Sequence, residues 1–417
     1  LLSARQLRVL SAASIDLGDG QLELTSRANI QLRGLAAGAE VELADRLADA
    51  GLLPSRSHET VRNIIASPLT GWDDNGLLDV RPLVSELDRA LCSDPALADL
   101  PGRFLFILDD GRGDVAALNG DVALLPLDTG EVALLLASAD SGLRFLGASG
   151  VEAMIAAAHA FLAERTLQGS GAWRLSELDQ GADRVASRVV DWAHAAGRPF
   201  GRAFAHDPQD GAVLGGNVPD IDVLGSDRTN GHGLELSVPE RGPVGLIERP
   251  AGRIALAAVI PLARLTIEQA GLVAAAAEVG SGELRLTPWR GVIVDLSMEQ
   301  AGNWFGIWES AGLAVAESAP WVGVTACTGQ PGCAKSLTDV RSDATLSLPT
   351  VARSDAIPVH WSGCARRCGR PQGAVIDVVA TSDCYEIRNG DQLCQRVPNG
   401  ANLGEVATAI QAARANR

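Results

Sequence analysis

The chain has 417 residues, 47% hydrophobic and 21% charged, with a formal net charge of −16. That length supports two or more buried cores and that balance excludes a disordered chain, while the acidic surplus argues against nucleic acid as a partner, because phosphate binding wants a basic surface. No apolar run approaches the ~18 residues of a membrane helix, and the opening "LLSARQLRVL" carries no signal-peptide pattern, so the expectation is a cytoplasmic protein with no membrane partner.

Residues 3–16 have helical periodicity and lead into a glycine turn, then into the β-like alternation "NIQLRGL". This unit recurs. "GDGQLELTSRANIQLRGL" (18–35) matches "GSGELRLTPWRGVIVDL" (280–296), pairing Gly18 with Gly280, Leu24 with Leu286 and Thr25 with Thr287. Upstream of the second copy, "GRIALAAVIP" (252–261) reads as a strand whose counterpart would fall before residue 1, so the first copy is expected to lack its first strand. Further on, "VRNIIASPLTG" (61–71) matches "WVGVTACTGQPG" (321–332), with Ser67 opposite Cys327. Cys92 sits alone in a helical pattern as a small apolar residue. "LPGRFLFILDDG" (100–111) reads as a strand ending in a hairpin turn at Asp109-Asp110-Gly111. Residues 166–240 look like a connector, with a helix around 176–196 and then a Gly/Asp/Pro-rich tract. Cys384 and Cys394 flank a hairpin turning at Asn389-Gly390, where they could face each other across strands, and 403–415 reads as a surface helix.

Four of the seven cysteines form Cys327-x5-Cys333 and Cys364-x3-Cys368. In a long chain without an export signal, such cysteines point to metal or catalysis rather than to a disulfide framework. Structural zinc usually takes paired cysteines two to four residues apart, so the first spacing suits it poorly. A four-iron cluster accepts a wider range of spacings, and Gly329, Gly332, Gly363 and Gly369 would let backbone amides approach its sulfurs. Cluster is preferred on these grounds, with zinc and uninvolved cysteines still open. All basic residues but Lys335 are arginine, and Lys335 lies two residues after Cys333.

The pattern C-x5-C…G-C-x3-C downstream of a duplicated "L-T-x-R" half-domain resembles the nitrite and sulfite reductase group. Within it, "LTSRANIQLRGL", "RLTPWRGV" and "SGCARRCGRP" most resemble the precorrin-3B synthase branch. The resemblance implies an α/β (α+β) chain of duplicated nitrite/sulfite reductase-like architecture. Two ferredoxin-like half-domains (1–60 and 241–318) would pair into one mixed sheet. A larger α/β domain without a cluster (61–165), the connector (166–240) and a cluster domain (319–417) complete it. It further implies Cys327, Cys333, Cys364 and Cys368 as ligands of a [4Fe-4S] cluster, and Arg27 as a macrocycle contact. The activity implied is O2-dependent hydroxylation of precorrin-3A at C20 with γ-lactone closure. Also implied are a non-haem iron and electrons from reduced nicotinamide or a ferredoxin-like protein.

The alternative branch is a sirohaem-dependent nitrite or sulfite reductase, which needs a knot of cations around a small anion. The stretch 100–111 keeps Arg103 but then turns apolar and ends in two carboxylates, which favours a large macrocycle. A precorrin carries acetate and propionate groups, which suit the planar fork of arginine. Arg27, Arg103, Arg62, Arg290, Lys335, Arg366 and Arg367 are the candidate substrate-binding residues. Among the six histidines, His360 lies nearest a cysteine pair, and on an alternating strand it reads first as a packed residue. No local motif supplies ligands for a mononuclear iron or names a catalytic residue.

Overall fold

A computed structural model describes residues 1–53, 55, 57–202, 234, 236, 241–351, 357–398 and 402–415. The chain divides into two compact units, one of Leu1–Glu59, Gly71–Asp74 and Val238–Arg417, the other of Thr60–Thr70 and Asn75–Ser237. The Gly/Asp/Pro-rich tract, with His206 and His232, lies outside the described residues, as does any strand before Leu1. Among the described residues no helix is long and apolar enough to cross a membrane.

In the first unit the first copy of the repeat runs β1 (Leu2–Ser3), α1 (Ala4–Leu17), β2 (Gln21–Leu24), β3 (Ile30–Leu32) and α2 (Ala39–Asp49). A capping box starts α1: the Gln6 amide donates to Ser3 Oγ (3.1 Å) while Ser3 N donates to Gln6 Oε1 (2.9 Å). The Gln6 amide group then donates to the Ala50 carbonyl at 3.0 Å, tying α1 to the end of α2.

The second unit holds β4 (Ile64–Ala66), α3 (Arg81–Ser93), β5 (Phe106–Leu108), β6 (Val122–Pro126), β7 (Glu131–Leu136), β8 (Ala139–Leu146), α4 (Gly147–Leu167), α5 (Gly181–Ala195) and β9 (Phe200–Arg202). They form one sheet in the order β4-β5-β6-β7-β8-β9, parallel across β4, β5 and β6 and antiparallel beyond. Phe106, Ile107 and Leu108 are all buried, as a central parallel strand requires. Because β5 and β6 are parallel, Asp109-Asp110-Gly111 is not a hairpin turn; it opens a crossover loop that returns the chain to the end of the sheet where β5 began. The segment read as a connector supplies α5, packed through Val185 and Val189 into this core, and β9 on its edge.

The first unit resumes with β10 (Gly245–Arg249), β11 (Arg253–Val259), β12 (Arg264–Thr266), α6 (Ile267–Val279), β13 (Glu283–Leu286), β14 (Gly291–Ser297) and α7 (Met298–Ser310). The repeat is visible atom by atom. Thr266 and Gln269 rebuild the capping box, and Gln269 Nε2 donates to the Ala311 carbonyl at 2.9 Å, as Gln6 does to Ala50. The two copies exchange strands: β1 pairs with β13 (Leu2↔Leu284) and β12 pairs with β2 (Leu265↔Leu22). This yields two antiparallel sheets, β1-β13-β14-β11-β10 and β12-β2-β3, in place of the single mixed sheet expected. The reason is that the strand preceding each copy's first helix is only two or three residues long and is paired by the other copy, so both helices cover one shared core containing Leu7, Leu22, Leu265, Val273 and Leu284. Among the described residues the first copy has no counterpart of β11, and its sheet ends at β3.

The same unit closes with β15 (Val324–Ala326), α8 (Val340–Val351), β16 (Val359–Ser362), β17 (Ile376–Ala380), β18 (Cys384–Asn389), β19 (Gln392–Pro398) and α9 (Leu403–Ala415). The sheet order β15-β16-β17-β18-β19, parallel then antiparallel, repeats that of β4 to β8. The hairpin at Asn389-Gly390 is present, but Cys384 lies opposite Pro398 and Gln395 opposite Ile387, so Cys384 and Cys394 do not face each other. The 403–415 helix lays Val406, Ile410 and Ala413 on this core.

The capping box makes a direct prediction for the α6 end of the exchanged strand. Thr266→Ala should cost about 1 kcal/mol of stability, whereas Thr266→Ser should stay near wild type. Urea unfolding midpoints measure both, and an unshifted midpoint for the alanine variant would count against the cap.

Candidate metal centre

Because β15 and β16 are parallel neighbours, their C-terminal ends open at the same edge of the sheet, where ligand sites of α/β sheets collect. Cys327 is the first residue after β15, and Cys364 and Cys368 follow β16. The loops are stitched together. The Cys327 amide donates to the Trp361 carbonyl (2.9 Å), the Leu337 amide donates to the Gly363 carbonyl (2.8 Å), and the Gly363 amide donates to Cys327 Sγ (3.3 Å). A Cβ on residue 363 would stand 1.8 Å from Ser336 Oγ, so only glycine lets the loops meet there. Cys327, Cys333 and Cys364 are half-buried and Cys368 is exposed.

The spacing of these thiols bears on what they could hold. Tetrahedral zinc, with Zn–S near ~2.3 Å, draws its sulfurs to roughly 4 Å of one another. Among the described residues, the only set of three or more His, Cys, Asp or Glu ligand atoms within 4.8 Å of one another is Asp109, Asp110 and Asp114. No three of the four thiols among the described residues lie that close to one another, and Gly329, Gly332, Gly363 and Gly369 line the loops that carry them.

The first copy of the sheet keeps the stitching and changes the chemistry. There the Ser67 amide donates to the Leu108 carbonyl (3.1 Å) and the Asp110 amide to Ser67 Oγ (3.0 Å), the same two bonds as at Cys327. The loop then closes on its own carboxylates. Ser67 Oγ donates to Asp114 Oδ1 (2.6 Å), Arg112 Nη2 meets Asp110 Oδ2 (2.7 Å), and Asp109 accepts four backbone amides, those of Gly111, Gly113, Val115 and Ala116. Asp109 and Asp110 are thus consumed within the loop.

Arginines surround the cysteine loops from several elements. Arg341, on α8, donates through Nη1 to Glu23 Oε1 (2.6 Å) and through Nε to the Cys327 carbonyl (3.2 Å), while Arg33 Nε donates to Glu23 Oε2 (2.5 Å). Burial pushes the Glu23 carboxyl up, but Arg341 and Arg33 outweigh it and hold it below the ordinary carboxylate range. The buried Asp377 on β17 accepts from Arg370 Nε (2.9 and 3.1 Å) and from Arg367 Nη1 (3.5 Å). Arg290 is buried, sits at φ 60°, and donates through Nη2 to the Gly369 carbonyl (2.5 Å), beside Cys368. Burial first, then the charge of Arg341, brings its pKa down to about 10.

His360 is fully buried on β16, with Nδ1 2.9 Å from Thr325 Oγ1. Its Nε2 lies near the Cys368 backbone without a well-formed hydrogen bond, and Ser362 Oγ on the same strand face also has no partner among the described residues. Burial, then Arg290, opposed by the Cys368 backbone, and then Arg370 and Arg367 take the ring down to about 3, so it is neutral at physiological pH.

The other sequence-selected residues fall into distinct settings. Arg27 is half-buried in the turn after β2 and Arg103 is exposed ahead of β5. The "L-T-x-R" turns are equivalent, but their arginines are not: Arg290 matches Ala28, both at positive φ (60° and 55°), and Arg27 matches Trp289. Arg62 is taken by Asp88 through two bonds of 2.6 and 2.9 Å, so its fork is engaged, whereas Arg367 meets Asp377 through a single contact of 3.5 Å. Lys335 and Arg366 are exposed on the cysteine loops and make no ion pair among the described residues. Glu23, Arg341 and Asp377 escaped the sequence reading. A lone carboxylate inside the apolar run "VIDVVA" was the available signal for Asp377.

Asp114 gives a pH prediction. Burial, only partly offset by Ser67, and the neighbouring Asp109 raise its carboxyl from 3.8 to about 7. The fold therefore favours the protonated acid, a contribution fully present below about pH 4 and lost as pH rises towards 7. Asp114→Asn should flatten the stability–pH curve across that window; a curve that keeps its slope in the variant would refute the assignment.

Residues 1–50 match the model of the nitrite/sulfite reductase ferredoxin-like half domain. The chain is 25% identical over 392 residues to a precorrin-3B synthase of Sinorhizobium sp, covering 92% of this chain and 76% of that one. It is 28% identical over 413 residues to a ferredoxin–nitrite reductase of Leptolyngbya laminosa, covering 91% and 74%. The solved structure of the Mycobacterium tuberculosis NirA protein aligns with a TM-score of 0.74 at 20% identity, over 100% of this chain and 79% of that one. With its exchanged half-domains and repeated α/β sheets, the chain has a duplicated nitrite/sulfite reductase-like fold.

Proposed function

We propose that the protein is an oxidoreductase of this group in which Cys327, Cys333, Cys364 and Cys368 hold a [4Fe-4S] cluster, and that it acts as a precorrin-3B synthase. The observation that carries the cluster is the pair of stitched, glycine-lined loops that bring these cysteines to one edge of the sheet. The cluster would supply one-electron transfer. In the reaction, one atom of O2 enters precorrin-3A at C20 and the other leaves as water. Two electrons from a reduced nicotinamide donor or a ferredoxin-like protein balance it, and a substrate acetate closes the γ-lactone. A non-haem iron belongs to this reading, and no ligands are assigned to it.

The chain's own residues would bind and orient. Arg366 and Lys335, exposed on the cysteine loops and without an ion pair among the described residues, would meet the acetate and propionate groups of a tetrapyrrole. Arg27 and Arg103 are carried as candidate contacts on the resemblance alone. Arg62 is engaged by Asp88, which argues against that role for it, and Arg367 stays a candidate contact. Asp109 and Asp110 are engaged within their own loop, so their carboxylates do not bear on the choice between the branches.

The second reading is a sirohaem-dependent nitrite or sulfite reductase with the same cluster, supported by the likeness to ferredoxin–nitrite reductases. Anaerobic purification with iron and sulfide analysis, absorbance, and EPR of the reduced protein separates the two. Iron and sulfide without a sirohaem Soret band, followed by O2-dependent turnover of precorrin-3A, supports the synthase. A Soret band moves the function to the reductases, and zinc without iron refutes both. In the active enzyme, Arg366→Ala should raise the KM for the tetrapyrrole about two- to fivefold, the worth of one exposed ion pair, and leave kcat unchanged; an unaltered KM removes Arg366 from the contact.

A further inference from the structure

Most charges around the cysteine loops are balanced within the protein. Glu23 answers Arg341 and Arg33, and Asp377 answers Arg367 and Arg370. Lys335 and Arg366 are exposed and solvated. Arg290 is the exception: it is buried, its side chain contacts the Gly369 carbonyl, and it forms no ion pair with a carboxylate among the described residues. The charge that acts on it is that of another guanidinium, Arg341.

A buried cation without an anion is costly, because it has lost its hydration and gained no partner charge. A fold keeps one where an anion joins it in the working state. Four thiolates with an iron–sulfur core carry net negative charge, and one-electron reduction adds another. The turn bearing Arg290 holds it at positive φ, a setting shared with Ala28 in the first copy, where no cysteine lies. The arginine thus belongs to the copy of the turn whose side chain reaches the Cys368 loop.

Resting on the cluster reading above, we propose that Arg290 is the buried counter-charge of the Cys327/Cys333/Cys364/Cys368 centre, a positioning residue that favours the reduced cluster and so raises its reduction potential. Two properties are separable. The contact with Gly369 positions the Cys368 loop, and the charge acts on the electron.

The test is an EPR-monitored dithionite titration of the anaerobically purified holoprotein, with iron and sulfide counted in parallel, for wild type, Arg290→Lys and Arg290→Gln. The potential of the glutamine variant should move to more negative values and that of the lysine variant should stay near wild type. If glutamine prevents assembly while lysine permits it, the charge requirement is also met. Equal shifts in both variants, equal loss of iron in both, or no shift in either would overturn the proposal while leaving the cluster reading intact. A raised KM in the glutamine variant with an unchanged potential would assign the charge to substrate and overturn it too. Wild-type protein without iron and sulfide would overturn the cluster reading itself.

Discussion

The candidate centre depends on one constraint: β15 and β16 are parallel neighbours that end side by side. Parallel pairing needs a long crossover, here the loop of Cys333 and then α8, and that crossover necessarily begins where the next one begins. Four cysteines spread from 327 to 368 therefore arrive at one sheet edge without any local motif joining them. The Cys327 amide on the Trp361 carbonyl and the Gly363 amide on Cys327 Sγ then lock the two loops in register. Gly363 can play that part because anything larger would collide with Ser336.

Duplication shows what the scaffold contributes and what it does not. Ser67 repeats both bonds of Cys327, so the backbone geometry at the end of the first strand is a property of the fold. What differs is the filling. In one copy the loop after the second strand carries thiols and glycines; in the other, Asp109 gathers four amides, and Ser67 and Arg112 occupy Asp114 and Asp110. A loop that satisfies its own polar groups is complete without a guest. Beside the cysteine loops, by contrast, His360 Nε2 and Ser362 Oγ on β16 have no hydrogen-bond partner and Arg290 no acid among the described residues.

Much of this was legible in sequence, because the signals were local or periodic. The recurrence of the glycine turns, the equivalence of Ser67 with Cys327, and the cysteine spacing all lie in short stretches. The strand exchange was not legible, since β1 and β12 are so short that nothing in "LS" or "RLT" says which copy they will pair with. Nor was the role of Asp109-Asp110-Gly111, because turn chemistry alone does not distinguish a hairpin from the start of a crossover; only the parallel register of β5 and β6 does. The arginines were the hardest case. Arg62 and Arg367 look like any other candidate clamp until Asp88 and Asp377 come into contact with them, and those partners lie 26 and 10 residues away.

Buried charge organises the rest. Glu23 comes from the first copy of the half-domain and Arg341 from α8, so their ion pair carries the position of β2 to the Cys327 carbonyl. Arg290 comes from the second copy and carries the position of the β13–β14 turn to Gly369, beside Cys368. Each half-domain thus holds one of the two cysteine loops by a side chain reaching a backbone carbonyl, one arm directly and one through an intermediary. The arms are not electrostatically alike. The Arg341 arm is neutralised by Glu23 before it reaches the loop, whereas the Arg290 arm delivers its charge whole. A symmetric scaffold with an asymmetric charge is what a site needs if one of its loops is to be held and the other both held and polarised.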